Sequence, residues 1–60
     1  MKFAVTSSFY DNGATQISHP FACDDSTVDS YVQEWNRDIY TDVFDTFSDA
    51  VEFYLNNKEA

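Results

Sequence analysis

Basic residues are scarce in this chain. Three Lys or Arg and one His stand against eleven Asp or Glu, for a net charge of −8. Direct binding to DNA, RNA or an anionic membrane is therefore not expected, because contact with phosphates needs Lys and Arg. Cysteine occurs once, at Cys23. No internal disulfide can form, which fits a reducing, cytosolic compartment. Proline and glycine also occur once each. With no Pro/Gly/Ser linker, repeat or low-complexity run, residues 1–60 read as one small domain. No apolar run approaches the roughly 20 residues of a membrane span, and the opening MKFAVTSSFY lacks the apolar core of a signal peptide.

Aromatic residues, by contrast, are abundant: six Phe, four Tyr and one Trp among 60 residues. A chain this short buries only about 60% of the surface its unfolded form exposes. Each buried ring can withdraw about 150–250 Å² from water. The rings thus offer the stability that disulfides supply in other small domains, and they argue against disorder.

The chain reads as an α+β domain. Residues 2–10 and 14–22 form an N-terminal antiparallel hairpin around the turn signal DNG. A three-residue loop, Asp11-Asn12-Gly13 with Gly13 left-handed, pairs Phe9 with Thr15, Ser7 with Ile17, Val5 with His19 and Phe3 with Phe21. This register gathers Phe3, Val5, Phe9, Ile17 and Phe21 on one face, and register follows the buried face. Pro20 cannot donate to a ladder and places the second strand at an edge or bulge. Val28, Tyr31, Val32 and Trp35 then recur at i, i+3, i+4 and i+7, which predicts a short helix over 26–35 capped by Ser26.

Residues 38–57 admit two readings. As one continuous helix they carry Ile39, Val43, Phe47, Ala50 and Tyr54 as an apolar stripe, with Asp38, Asp42, Asp45, Asp49 and Glu52 opposite. Alternatively 38–44 is a third strand, rich in strand formers, and a helix spans 46–58 behind a Thr46–Asp49 capping box. Strand plus helix is the preferred reading, because a lone hairpin is only marginally stable. The apolar hairpin face is then expected to pack on Val28, Tyr31, Val32, Trp35, Ala50, Phe53 and Tyr54. The last few residues are expected to fray.

No catalytic motif stands out, and the chain is not expected to be an enzyme or to bind a cofactor. His19 and Cys23 are too few for a four-coordinate zinc site. The spacing of Asp38, Asp42 and Asp45 fails the calcium-loop pattern, with Tyr40 and Val43 where ligand and glycine belong. A stacking platform for single strands would need a basic groove that Lys2, Arg37 and Lys58 cannot build. The acidic set remains. Asp38, Asp42, Asp45, Asp49 and Glu52, with Asp24, Asp25 and Asp29 as additions, are the candidate partner-binding residues.

A very short, Asp-rich chain with aromatics and no catalytic residues, carrying the segments FYDNG and YTDVFDTFSDA, resembles the small acidic proteins of phages and mobile elements. Several of those are anti-restriction or anti-CRISPR proteins that imitate nucleic acid. The resemblance implies a non-enzymatic inhibitor in the host cytosol, whose acids occupy the basic channel of a nuclease or CRISPR effector. The alternative is an aromatic-rich interaction module or homodimer whose acidity serves solubility.

Overall fold

The structure, a computed structural model, describes residues 1–58; the terminal residues expected to fray fall partly outside them. Five strands and one helix follow in order: β1 (Lys2–Tyr10), β2 (Thr15–Ile17), β3 (Phe21–Cys23), β4 (Ser30–Gln33), β5 (Arg37–Phe44) and α1 (Phe47–Asn57). The strands form one antiparallel sheet in the order β2-β1-β5-β4, with β3 also paired to β1. The α+β expectation holds in this form.

The hairpin loop is the three-residue one. Phe9 pairs with Thr15 and Ser7 with Ile17, and Gly13 has φ +90°. Asn12 Oδ1 accepts a hydrogen bond from the Ala14 amide at 3.0 Å, which braces the turn. The register then slips by one residue. Phe21 faces Ala4 and Ala22 faces Phe3, so the expected pairs Val5–His19 and Phe3–Phe21 do not form. Ser18 and Pro20 explain the slip. The Thr6 amide donates to Ser18 Oγ at 2.9 Å instead of to a backbone carbonyl, and Pro20 has no amide to donate. The second strand is therefore not continuous over 14–22 but splits into β2 and β3. Phe21 lands on the face opposite Phe3, since one inserted residue reverses every later side chain.

One further expectation is corrected, and one of the two readings of 38–57 is excluded. The helix over 26–35 does not form: Ser30–Gln33 is strand β4, paired along β5 with Tyr31 facing Tyr40 and Val32 facing Ile39. A short helix is marginal in isolation, whereas a strand here satisfies the outer edge of β5. Asp29 assists by accepting the Val43 amide at 2.7 Å. Trp35 lies at the tip of the β4–β5 turn and is 91% exposed, and Val28 is 72% exposed, so neither belongs to the core. Tyr31 and Val32 are also half exposed. Residues 38–57 are not one helix either. β5 pairs with β1 over eight residues, from Phe3–Phe44 to Tyr10–Arg37. Thr46, extended at φ −126° and ψ 153°, then caps α1 by accepting the Asp49 amide. The strand-plus-helix reading of this segment is the one observed.

Because side chains alternate across a strand, β1 presents Phe3, Val5, Ser7 and Phe9 to one face. α1 lies on that face. Phe47 meets Phe3 edge-on at 5.4 Å between centroids, and Phe53 meets Phe44 at 5.3 Å. Val5 and Ala50 are fully buried between the layers. The small Ala50 side chain lets the helix approach Val5 closely. The opposite face, with Ala4, Phe21, Val32, Ile39 and Val43, carries no helix. The molecule is accordingly thin, 34 × 24 × 11 Å along its principal axes.

Candidate functional site

One helix cannot roof a sheet four strands wide. α1 packs on β1 and the end of β5, and its C-terminal end nears β2, where Asn57 and Lys58 border a hollow with Ile17. An open groove remains beside α1, above β5 and the neighbouring part of β1. Its floor comes from β5. In the stretch Asp38-Ile39-Tyr40-Thr41-Asp42-Val43-Phe44, the even positions face the helix, so acids and rings alternate along the groove. Ser7, Phe9, Asp38, Tyr40, Asp42, Phe53 and Asn57 line a hollow of about 450 Å³. An adjoining hollow is lined by Phe44, Asp49, Glu52, Phe53 and Asn56. Phe53 is common to both.

The floor is an aromatic row crossing three strands. Phe9 of β1 meets Tyr40 of β5 edge-on at 5.7 Å, and Tyr40 meets Tyr31 of β4 at 4.8 Å. All three rings remain 43–51% exposed. Tyr31 Oη donates to Asp38 Oδ1 at 3.0 Å, which leaves the second carboxylate oxygen of Asp38 free of protein hydrogen bonds among the described residues. Partial desolvation, reinforced by that bond, pushes the Tyr31 phenol above its ordinary value. The Asp42 carboxyl is also pushed up, chiefly by burial and next by the charge of Asp29.

The chain's cations are engaged elsewhere. Arg37 Nε donates to Glu34 at 2.6 Å and its Nη1 to Tyr10 Oη at 3.0 Å, with the guanidinium carbon 5.7 Å from the Tyr10 ring centre. These contacts lie on the helix-free face. Lys2 reaches Asp45 at 3.9 Å, and Lys58 Nζ stands 5.9 Å over the Tyr54 ring. Among the described residues, no cation pairs with Asp29, Asp38, Asp42, Asp49 or Glu52.

The expected acidic set therefore divides. Asp38, Asp42, Asp49 and Glu52 flank the groove, and Asp29 joins them through its proximity to Asp42. Asp45 does not: it sits at the β5–α1 turn beside Lys2. Asp24 and Asp25 follow β3 at the far edge of the sheet, beside a bowl of about 660 Å³ lined by Met1, Ala22, Cys23 and Thr27. There the N-terminal ammonium pairs with Asp25 and holds its carboxyl below the usual value. The groove aromatics Phe9, Tyr31, Tyr40 and Phe53 are not among the expected site residues; the period-two alternation of acid and ring from Asp38 to Phe44 is the signal for Tyr40 and its neighbours in the sequence.

His19 and Cys23 lie apart. The His19 ring packs on Tyr54 at 5.0 Å between centroids, while Cys23 is half-buried opposite Lys2 on the helix-free face. Among the described residues no group of three His, Cys, Asp or Glu is placed to hold a metal ion. No helix there is long and apolar enough to cross a membrane. Compared with protein-family models, curated proteins and solved structures, the chain matches none.

Proposed function

We propose that this protein is a non-enzymatic acidic inhibitor of the phage or mobile-element type. It binds the basic nucleic-acid surface of a restriction nuclease or CRISPR effector in the host cytosol and occupies the place of phosphates. One observation carries this reading: four carboxylates without cationic partners among the described residues, Asp38, Asp42, Asp49 and Glu52, line two adjoining hollows that share Phe53, with Asp29 close to Asp42. Asp38 and Asp42 are four strand residues apart, about 13 Å at 3.3 Å per residue. On α1, Asp49 and Glu52 at i and i+3 are neighbours about 5–6 Å apart. A patch of one sign would also speed encounter with a basic partner and make it salt-sensitive.

The test is displacement of fluorescent duplex DNA from a panel of purified restriction nucleases and CRISPR effectors. The expected result is release from at least one member, weakening as salt rises. Asp42→Lys with Asp49→Lys should abolish release, while Asp24→Lys with Asp45→Lys, outside the groove, should change it far less. The reading fails if no member releases DNA, or if the groove reversal competes as well as the unaltered chain.

A second reading rests on the helix-free face. Its strand residues include Phe21, Val32, Ile39 and Val43, together with Thr6, Ser8 and Thr41, and the one carboxylate at its rim, Glu34, is paired with Arg37. In a chain of net charge −8, this face can meet a second copy with little charge repulsion. Sedimentation at rising salt separates the readings, since an apolar dimer persists whereas charge-driven association weakens.

A further inference from the structure

We propose that the hollow between α1 and the β1–β5 floor is a pocket for one arginine side chain of the basic partner, stacked on Tyr40 and paired with Asp42, with Asp38 on its other side. The proposal rests on the reading that the partner is basic, and it adds a specific contact to a general charge match.

Three observations carry it. The first is the floor. Phe9, Tyr40 and Tyr31 form a row of half-exposed rings, and a cation over such a ring is attracted by its quadrupole. A purely electrostatic surface has no use for exposed rings, and closer packing would have hidden them. The second is the flanking pair. Asp38 and Asp42 each stand two residues from Tyr40 on the same strand face, about 6.6 Å along the strand. A guanidinium lying over Tyr40 is thus placed between two carboxylates. Tyr31 Oη fixes Asp38 by one oxygen and leaves the other free. Asp42 has no hydrogen-bond or ion-pair partner among the described residues, and its carboxyl is already disfavoured as an anion by burial and by Asp29. An arriving cation relieves that penalty.

The third is an internal example. On the opposite face, Arg37 of the same chain lies 5.7 Å from the Tyr10 ring centre with Glu34 held at 2.6 Å. Ring, carboxylate and guanidinium occur there together. In the groove the ring and carboxylates occur, and the described residues supply no cation. A hollow of about 450 Å³ is open to receive one. Guanidinium fits better than ammonium, because it is planar, stacks on aromatic faces and forks onto carboxylates.

The experiment uses the whole chain, labelled for NMR, and the probes N-acetyl-arginine methylamide and N-acetyl-lysine methylamide. The arginine probe should give saturable shifts confined to Phe9, Tyr31, Tyr40, Asp38, Asp42, Phe53 and Asn57, several-fold tighter than the lysine probe. Tyr40→Leu keeps apolar bulk without a π face and should weaken the arginine probe by roughly 2–5-fold, the worth of one partly exposed cation–π contact. Asp42→Asn should weaken it further, and Asp45→Asn should leave it unchanged. Circular dichroism confirms that each variant folds. Equal shifts at all carboxylates, or indifference to Tyr40→Leu, overturns the pocket. The two readings fail separately. If the groove binds arginine but no DNA-loaded enzyme is displaced, mimicry fails and the pocket stands. If displacement occurs and Tyr40→Leu displaces as well as the unaltered chain, the pocket fails and mimicry stands.

Discussion

Val5 and Trp35 offer a direct test of where this domain holds itself together. Val5 is the largest fully buried side chain among the described residues, and Trp35 is 91% exposed at a turn. Val5→Ala removes two methyl groups at ~0.8 kcal/mol each. A cavity adds to this, because α1 and β1 can collapse only in part, giving roughly 2–3 kcal/mol in total. A domain of this size has about 3–9 kcal/mol of stability at typical values per residue. The loss is therefore about a fifth or more of the whole, and the melting temperature should fall by roughly 10–20 °C at 4–8 °C per kcal/mol. Trp35→Ala deletes far more side chain, yet should change stability by less than about 0.5 kcal/mol. Were Trp35 on a buried helical face, its loss would cost about 3–5 kcal/mol. Urea and thermal unfolding followed by circular dichroism decide between these. A Trp35→Ala loss above about 2 kcal/mol, or a Val5→Ala loss below about 0.5 kcal/mol, would refute the packing described here.

Asp42→Asn should stabilise the fold at neutral pH while weakening the groove. Its folded pKa is raised by burial and by Asp29, so the native state holds the proton more tightly than the unfolded chain. Stability then falls as pH rises from the ordinary carboxyl value through the folded one. Unfolding measured across that window should show a shallower decline for Asp42→Asn, and an unchanged slope would contradict the burial. Thr46→Ala removes the oxygen that accepts the Asp49 amide and should cost about 0.5–2 kcal/mol, seen as a lower urea midpoint with reduced helical ellipticity. Gly13→Ala meets no atom within 4 Å but must hold φ +90°. It should therefore cost about 1–2 kcal/mol from backbone strain alone, and a neutral result in urea unfolding would show that the turn adopts another conformation.

Local chemistry in the sequence was sufficient for several features. The DNG turn and its three-residue loop follow from Gly13, the one residue free to take positive φ. The end of the β5 segment and the start of α1 follow from Thr46, which can cap only what comes after it. The abundance of acids and rings, and the shortage of cations to neutralise them, are properties of composition. The tertiary structure decided the rest. Val28, Tyr31, Val32 and Trp35 fit a helical period, yet the unpaired edge of β5 recruits Ser30–Gln33 as a strand, because only another strand can satisfy that row of backbone groups. Ser18 and Pro20 interrupt a ladder whose interruption depends on β1 lying beside it. The acids at 38, 42, 49 and 52 form one stripe only if 38–57 is a single helix; in the preferred strand-plus-helix reading they divide, and the fold sets two on a strand and two on the helix that folds back over it. What placed them around rings rather than along a rod was the alternation of a paired strand, and that pairing belongs to the sheet rather than to any segment of the chain.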